Sequence, residues 1–131
     1  MKAAVVSEGG LEIKDIPAPT PKPNEILIKV RACGINRADA MVASGMAHGP
    51  AGGLGTVPGI EYVGEVVEIG NEVTKWKSGD HVMSMCFPNW VSGAPKYELL
   101  SFIGDNQDGY ATEYIAIPET ALTKIPNNLN L

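Results

Sequence analysis

Apolar and polar residues alternate along much of this chain, the pattern of half-buried strands. Two short apolar runs, between Lys2 and Val6 and between Leu11 and Ile16, flank Glu8-Gly9-Gly10, which predicts an N-terminal hairpin. Pro17, Pro19, Pro21 and Pro23 then remove backbone donors and predict an extended surface connector. From Glu25 to Ala32, Ile26, Ile28, Val30 and Ala32 share one face while Glu25, Lys29 and Arg31 share the other, with Leu27 alone against the pattern. Cys33-Gly34-Ile35 leads into a short helix signal. Asn36 is its N-cap, Asp39 stands at N3 where a carboxylate meets the helix dipole, and Gly45 stops it.

The stretch from Met46 to Gly59 is rich in glycine and proline without periodicity and predicts a long irregular loop. Ile60 to Ile69 predicts a strand bent or bulged at Gly64, with turns at Asn71 and at Ser78-Gly79-Asp80. Val82 to Phe87 and Tyr110 to Ile117 predict further strands. Between them, Pro95 to Ile103 predicts a turn or two of helix with Leu99, Leu100 and Ile103 inward. Leu122 to Leu131 ends a strand and begins what reads as a capped helix with no residues left to build it, which suggests a truncated protein. Many short strands with at most two small helices predict a mainly β barrel or sandwich.

Composition narrows the function more than the fold. The 131 residues suit one domain, and 44% hydrophobic against 19% charged residues excludes a disordered tail. The 15 glycines and 10 prolines are dispersed, as turns between strands require. A net charge of −5 is the wrong sign for neutralising phosphates, so neither nucleic acid nor an anionic membrane is an expected partner. No apolar run has the length of a signal-peptide core or a membrane span, and the expected location is cytoplasmic. Cys33 and Cys86 form no closely spaced pair and read as reduced thiols.

Pro58-Gly59-Ile60-Glu61-Tyr62-Val63-Gly64-Glu65-Val66, followed by Gly79-Asp80-His81-Val82, resembles the signature of medium-chain dehydrogenases/reductases. Ala32-Cys33-Gly34-Ile35-Asn36-Arg37-Ala38-Asp39 upstream and Asp108-Gly109-Tyr110-Ala111 downstream extend the resemblance over nearly the whole chain. It implies a GroES-like twisted β-barrel with one or two short helices over residues 1–131. This would be the substrate-side catalytic domain, with a following Rossmann cofactor domain absent. No glycine-rich dinucleotide fingerprint follows a strand here, so NADP(H) or NAD(H) would bind in the full-length enzyme.

Zinc-dependent members of that superfamily carry a ligand cysteine at the position of Asn36 and a ligand histidine at that of Ile60, and a structural zinc needs more cysteines than Cys86. No metal is therefore expected: neither an amide nor a branched alkane supplies a zinc ligand, and an isolated Cys33 thiol cannot make a site. Gly34-Ile35-Asn36-Arg37-Ala38-Asp39 instead resembles the zinc-free quinone oxidoreductase branch, whose Asn faces the nicotinamide and substrate cleft. The substrate implied is a small quinone, enone or similar carbonyl compound, and a homo-oligomer is expected. A zinc alcohol dehydrogenase domain and a freestanding, non-catalytic binding module are the competing readings.

Asn36 is thus a catalytic and cofactor-facing candidate as well as an N-cap. Tyr62 is a second catalytic candidate, a hydroxyl offered to a carbonyl or else a core tyrosine. Asp39 reads as a helix-start carboxylate and Asp80 as a turn-closing one. Glu61 is either solvated or, as the resemblance favours, buried and paired with a basic residue. His48 reads as a loop residue in solvent, His81 as a strand residue, and Trp90 and Tyr97 as overhanging a substrate entrance.

Overall fold

The structure, a computed structural model, describes residues 1–44, 53–96, 108–129 and 131. Strands β1 (Lys2–Ser7) and β2 (Gly10–Asp15) form the expected hairpin, with Gly10 at φ +113° closing its turn. Strand β3 (Glu25–Cys33) follows the proline connector, then helix α1 (Arg37–Ala43), β4 (Tyr62–Ile69), β5 (His81–Ser84), β6 (Tyr114–Pro118) and β7 (Leu122–Lys124). The fold is mainly β, and no described helix is long and apolar enough to cross a membrane. The helix expected beyond Pro95, and with it Tyr97, lies outside the described residues, as does His48.

The second sheet is antiparallel with order β6-β3-β4-β5-β7. Its edge strands β6 and β7 are joined only by the 3-10 turn Glu119–Ala121. Such a link spans at most about 10–13 Å, so the two edges must come together and the sheet must curl. The curl encloses a core in which Ile26, Ile28, Val66 and Val82 have no exposed side-chain surface, with Tyr62, Tyr110, Ile115 and Ile117 packed around them. Trp76 and Glu119 tie the β4–β5 connection to the 3-10 turn. The indole N–H donates to the Glu119 carbonyl (2.9 Å), and the Glu119 carboxylate accepts the Thr74 and Lys75 N–H groups at 3.0 Å each.

Two register shifts between β3 and β4 give the sheet its bend. Val67 and Arg31 are the extra residues, and Gly64 stands opposite Val30 beside the second shift. A Cβ on Gly64 would lie 2.6 Å from Ile28 Cγ2, so close strand approach requires glycine there. The bulge at Arg31 also breaks the alternation predicted for β3, and Ala32 emerges exposed rather than joining Ile26 and Ile28 in the core.

Two strands are shorter than their apolar runs. β5 ends at Ser84 because the chain turns at Phe87–Trp90, where Pro88 has no N–H to extend the ladder. β6 starts only at Tyr114, because Tyr110 to Glu113 serves the hairpin: Ala3 bridges Thr112, and the Ala4 N–H donates to the Ala111 carbonyl at 2.8 Å. After β7 the chain forms a turn, with the Leu129 N–H donating to Pro126 at 3.0 Å.

Candidate functional site

Two glycine-containing segments cross at one end of the sheet. The Gly109 N–H donates to the Val57 carbonyl (2.7 Å), Tyr110 to Gly59 (2.9 Å) and Ala111 to Pro58 (2.9 Å), while the Asp108 carboxylate accepts the Val57 N–H (3.2 Å). Gly59 has φ +110°, and a Cβ there would sit 2.7 Å from the Ala111 nitrogen and 3.0 Å from the Cys33 sulfur. Both conformation and space therefore demand glycine.

Helix α1 is locked onto this crossing by Asp39. Its Oδ2 accepts the Asn36 N–H at 2.7 Å and its Oδ1 accepts the Gly59 N–H at 2.8 Å, and the residue is only 6% exposed. The pair Asn36 and Asp39 has the reciprocal arrangement of a capping box, with Asn36 extended at φ −107°, ψ 163°. A seven-residue helix with little buried surface gains its position from this charged link rather than from propensity.

Among the described residues three buried polar atoms find no partner: the Asn36 Nδ2 amide and the hydroxyls of Tyr62 and Tyr110. Interiors seldom leave such groups unpaired. The tyrosine rings meet edge to face, centroids 4.5 Å apart and planes at 70°. Burial, then the neighbouring phenol, holds the Tyr62 hydroxyl well above its ordinary pKa, and burial does the same for Tyr110. Both stay protonated donors at neutral pH.

Glu61 is exposed rather than buried, and among the described residues it forms no ion pair. It precedes β4 at the rim, where its carboxyl group lies against Gly34; a side chain at that position would collide with it. Glu61 and Tyr62 line a shallow pocket of about 270 Å³ with Gly34, Met83 and Ser84, and the Ser84 hydroxyl accepts the Tyr62 N–H at 3.0 Å. A larger cavity of about 430 Å³ is lined by Val57, Asp108, Gly109 and Tyr110 of the crossing together with β6, and touches neither Asn36 nor Glu61.

The Cys33 thiol is half-buried and pushed up to about 11, first by burial, then by the negative charges of Asp39 and Glu61. Asp39 has spent both oxygens on backbone N–H groups. Among the described residues no three His, Cys, Asp or Glu side chains converge on a point. Among the described residues this donor set does not make up a zinc site.

The crossing brings together Cys33, Asn36, Asp39, Gly59, Glu61, Tyr62 and Tyr110 from three separate stretches of chain, 33–39, 59–62 and 110. Asp80 stays apart and accepts the Lys77 N–H (3.0 Å) within its own turn, and His81 is exposed at the start of β5. Trp90 is half-buried, its indole N–H donating to the Gly93 carbonyl at 3.1 Å. Tyr110 was not singled out by sequence reasoning, although it follows the Asp108-Gly109 pair that marks the crossing.

Residues 22–127 match the family described as alcohol dehydrogenase GroES-like domain. A quinone oxidoreductase of Lama guanicoe is 32% identical over 135 residues, covering 99% of this chain and 35% of its own length. A crystal structure of a NAD-dependent alcohol dehydrogenase superposes with a TM-score of 0.82 at 29% identity, over 99% of this chain and 41% of that one. The cobalt- and zinc-bound alcohol dehydrogenase of Pyrobaculum aerophilum gives 0.79 at 26% identity, over 95% and 40%. The chain spans well under half the length of the curated relatives it matches.

Proposed function

Since this chain belongs to the alcohol dehydrogenase GroES-like domain family, we propose that it is the substrate-side part of a nicotinamide-dependent oxidoreductase. The proposed substrate is a quinone, an enone or a related small carbonyl compound, and the proposed chemistry uses no catalytic zinc. The dinucleotide-binding part in this proposal corresponds to the portion of such relatives that this chain, spanning 31–41% of their length, does not cover. NADPH or NADH, when bound, supplies the hydride.

The observation that carries this reading is the buried, unpaired Asn36 amide. Its backbone is fixed by Asp39, so the Nδ2 donor is held ready for an acceptor that the described residues do not provide. A carbonyl oxygen on substrate, or the carboxamide of the nicotinamide, has the matching chemistry. As a carbonyl gains hydride its oxygen gains negative charge, and a fixed neutral donor stabilises that charge without having to titrate. The Tyr62 hydroxyl, also unpaired, offers a second donor toward the same end of the sheet. What supports a zinc-free mechanism is the donor set: Asn36 and Ile60 at the positions where a metal site would need ligands, and an Asp39 already engaged.

The test is made on the natural polypeptide that carries this domain, with its intact mass determined first. Oxidation of NADPH and of NADH is followed with quinone, enone and alcohol substrates, alongside metal content. The reading expects reduction of quinone or enone without stoichiometric zinc. It also expects Asn36→Ala to lower kcat by about a hundredfold while costing no more than the loss of an N-cap, about 0.5–2 kcal/mol. Stoichiometric zinc whose chelation abolishes turnover, or an intact mass of 13.8 kDa with no nicotinamide affinity, would overturn it.

A further inference from the structure

The backbone of Tyr62 is fixed by pairing opposite Cys33 and by its N–H, which donates to the Ser84 hydroxyl at 3.0 Å. Its side chain is held differently. A buried tyrosine is ordinarily oriented by the hydrogen bond at its hydroxyl, yet the Tyr62 hydroxyl has no partner among the described residues. The direction of its O–H is therefore left to what packs against the ring. Tyr110 packs there, edge to face, with centroids 4.5 Å apart and planes at 70°. Tyr110 is itself anchored at the backbone: its N–H donates to Gly59 at 2.9 Å, its carbonyl accepts the Thr112 N–H at 2.8 Å, and Gly109 and Ala111 on either side bond Val57 and Pro58. Gly59 in turn gives its N–H to the Asp39 carboxylate at 2.8 Å. Asp39, Tyr62 and Tyr110 are each 6% exposed or less, so this framework is internal to the domain.

We infer that Tyr110 is a positioning residue, whose ring sets the direction in which the Tyr62 hydroxyl is offered to the substrate carbonyl. The inference rests on the reading of Tyr62 as a donor. An edge-to-face pair sets the positive edge of one ring on the negative face of the other, so it prefers an angle that an aliphatic side chain of similar volume does not impose. A carbonyl gaining hydride needs its donor held within about 0.5 Å of the productive place, and a displacement of about 1 Å can cost on the order of a hundredfold in rate. The same contacts reach α1. Asp39 holds the Asn36 N–H with one oxygen and Gly59, opposite Tyr110, with the other. Asn36 and Tyr62, two donors distant in the chain, are thereby placed by one framework.

Kinetics of the natural polypeptide that carries this domain, with a quinone or enone and saturating nicotinamide cofactor, test this. Tyr110→Leu keeps an apolar filling but loses the ring, and should lower kcat on the order of tenfold with KM changed by less than about threefold. Tyr110→Phe keeps the ring and should recover most of that loss. In a Tyr62→Phe background, Tyr110→Leu should cost less than about twofold more, because no hydroxyl is left to position. A merely structural role would cost the same in both backgrounds. If Tyr110→Leu does not fold, Tyr110→Met takes its place in the cycle. NMR of ring-labelled tyrosine gives a readout independent of turnover: Tyr62 ring flips should quicken by about tenfold or more in Tyr110→Leu and not in Tyr110→Phe. An equal kinetic loss in both backgrounds, Tyr62 ring flips at an unchanged rate, or a Tyr110→Leu kcat within about threefold of the unaltered enzyme while Tyr62→Phe is impaired would overturn the proposal alone. Full turnover by Tyr62→Phe would overturn the reading of Tyr62 as a donor, and the proposal with it.

Discussion

Replacing Asp39 tests whether a single carboxylate holds the candidate site together. Its two oxygens accept N–H groups from Asn36 at 2.7 Å and Gly59 at 2.8 Å in a place only 6% exposed. Hydrogen bonds to a charged acceptor contribute about 1.5–3 kcal/mol each, and a buried donor left unpaired costs about as much. Some of this is offset because the folded state no longer desolvates a charge. Asp39→Ala should therefore cost about 3–4 kcal/mol. For 131 residues that corresponds to a Tm lower by roughly 10–15 °C. Asp39→Asn keeps one acceptor oxygen but turns an NH₂ toward an N–H group, and should cost about 2 kcal/mol. Urea unfolding of both variants, with Asp15→Ala as control, measures this. Asp15 pairs with Lys2 at 3.5 Å in full view of solvent, so its loss should change stability by less than about 0.5 kcal/mol. An Asp39→Ala cost below about 1 kcal/mol would refute the reasoning, since α1 would then be held by something other than this link.

Other outcomes follow from the same geometry. Tyr62→Phe removes a buried, unpartnered hydroxyl, so stability should hold or rise by up to about 1 kcal/mol while turnover of the parent enzyme falls; a clear loss of stability would reveal a partner for that hydroxyl. With Cys86 replaced by Ser, iodoacetamide at neutral pH should modify Cys33 about a hundredfold more slowly than a free thiol with pKa 9.0, because its own lies near 11. The same shift makes the unfolded chain release this proton first, so stability should begin to decline as pH rises through 9, a decline that the raised Tyr62 and Tyr110 extend above pH 10; Cys33→Ser should remove the part that sets in below pH 10. Glu119 is shifted the other way: the Lys75 and then the Thr74 N–H groups hold its carboxyl below the ordinary 4.5. Its contribution is present above that value and lost as pH falls through the lower folded one, so Glu119→Gln should flatten the acid limb of the stability curve.

Local chemistry determined much of this protein. The hairpin, the β3 face begun by Ile26 and Ile28, and the Asn36 N-cap with Asp39 at N3 each depend on a few neighbouring residues. Propensity and periodicity describe such features, and the resemblance carried by Pro58 to Gly64 and by Asp108-Gly109 extended them to a family. The order β6-β3-β4-β5-β7 was not legible, because pairing across tens of residues leaves no local pattern. The bulge at Arg31, which moves Ala32 out of the core, likewise depends on the partner strand. Between the two readings left open for Glu61, solvated or buried and paired, the structure shows the exposed one, with its carboxyl against Gly34, a contact between residues distant in the chain. The sequence by itself thus named the groups, Asn36, Asp39, Tyr62 and the glycines. Tertiary structure alone decided that Asp39 uses both oxygens on backbone N–H groups while Asn36 and Tyr62 keep buried donors free, because satisfaction of a polar atom is set by neighbours distant in the chain.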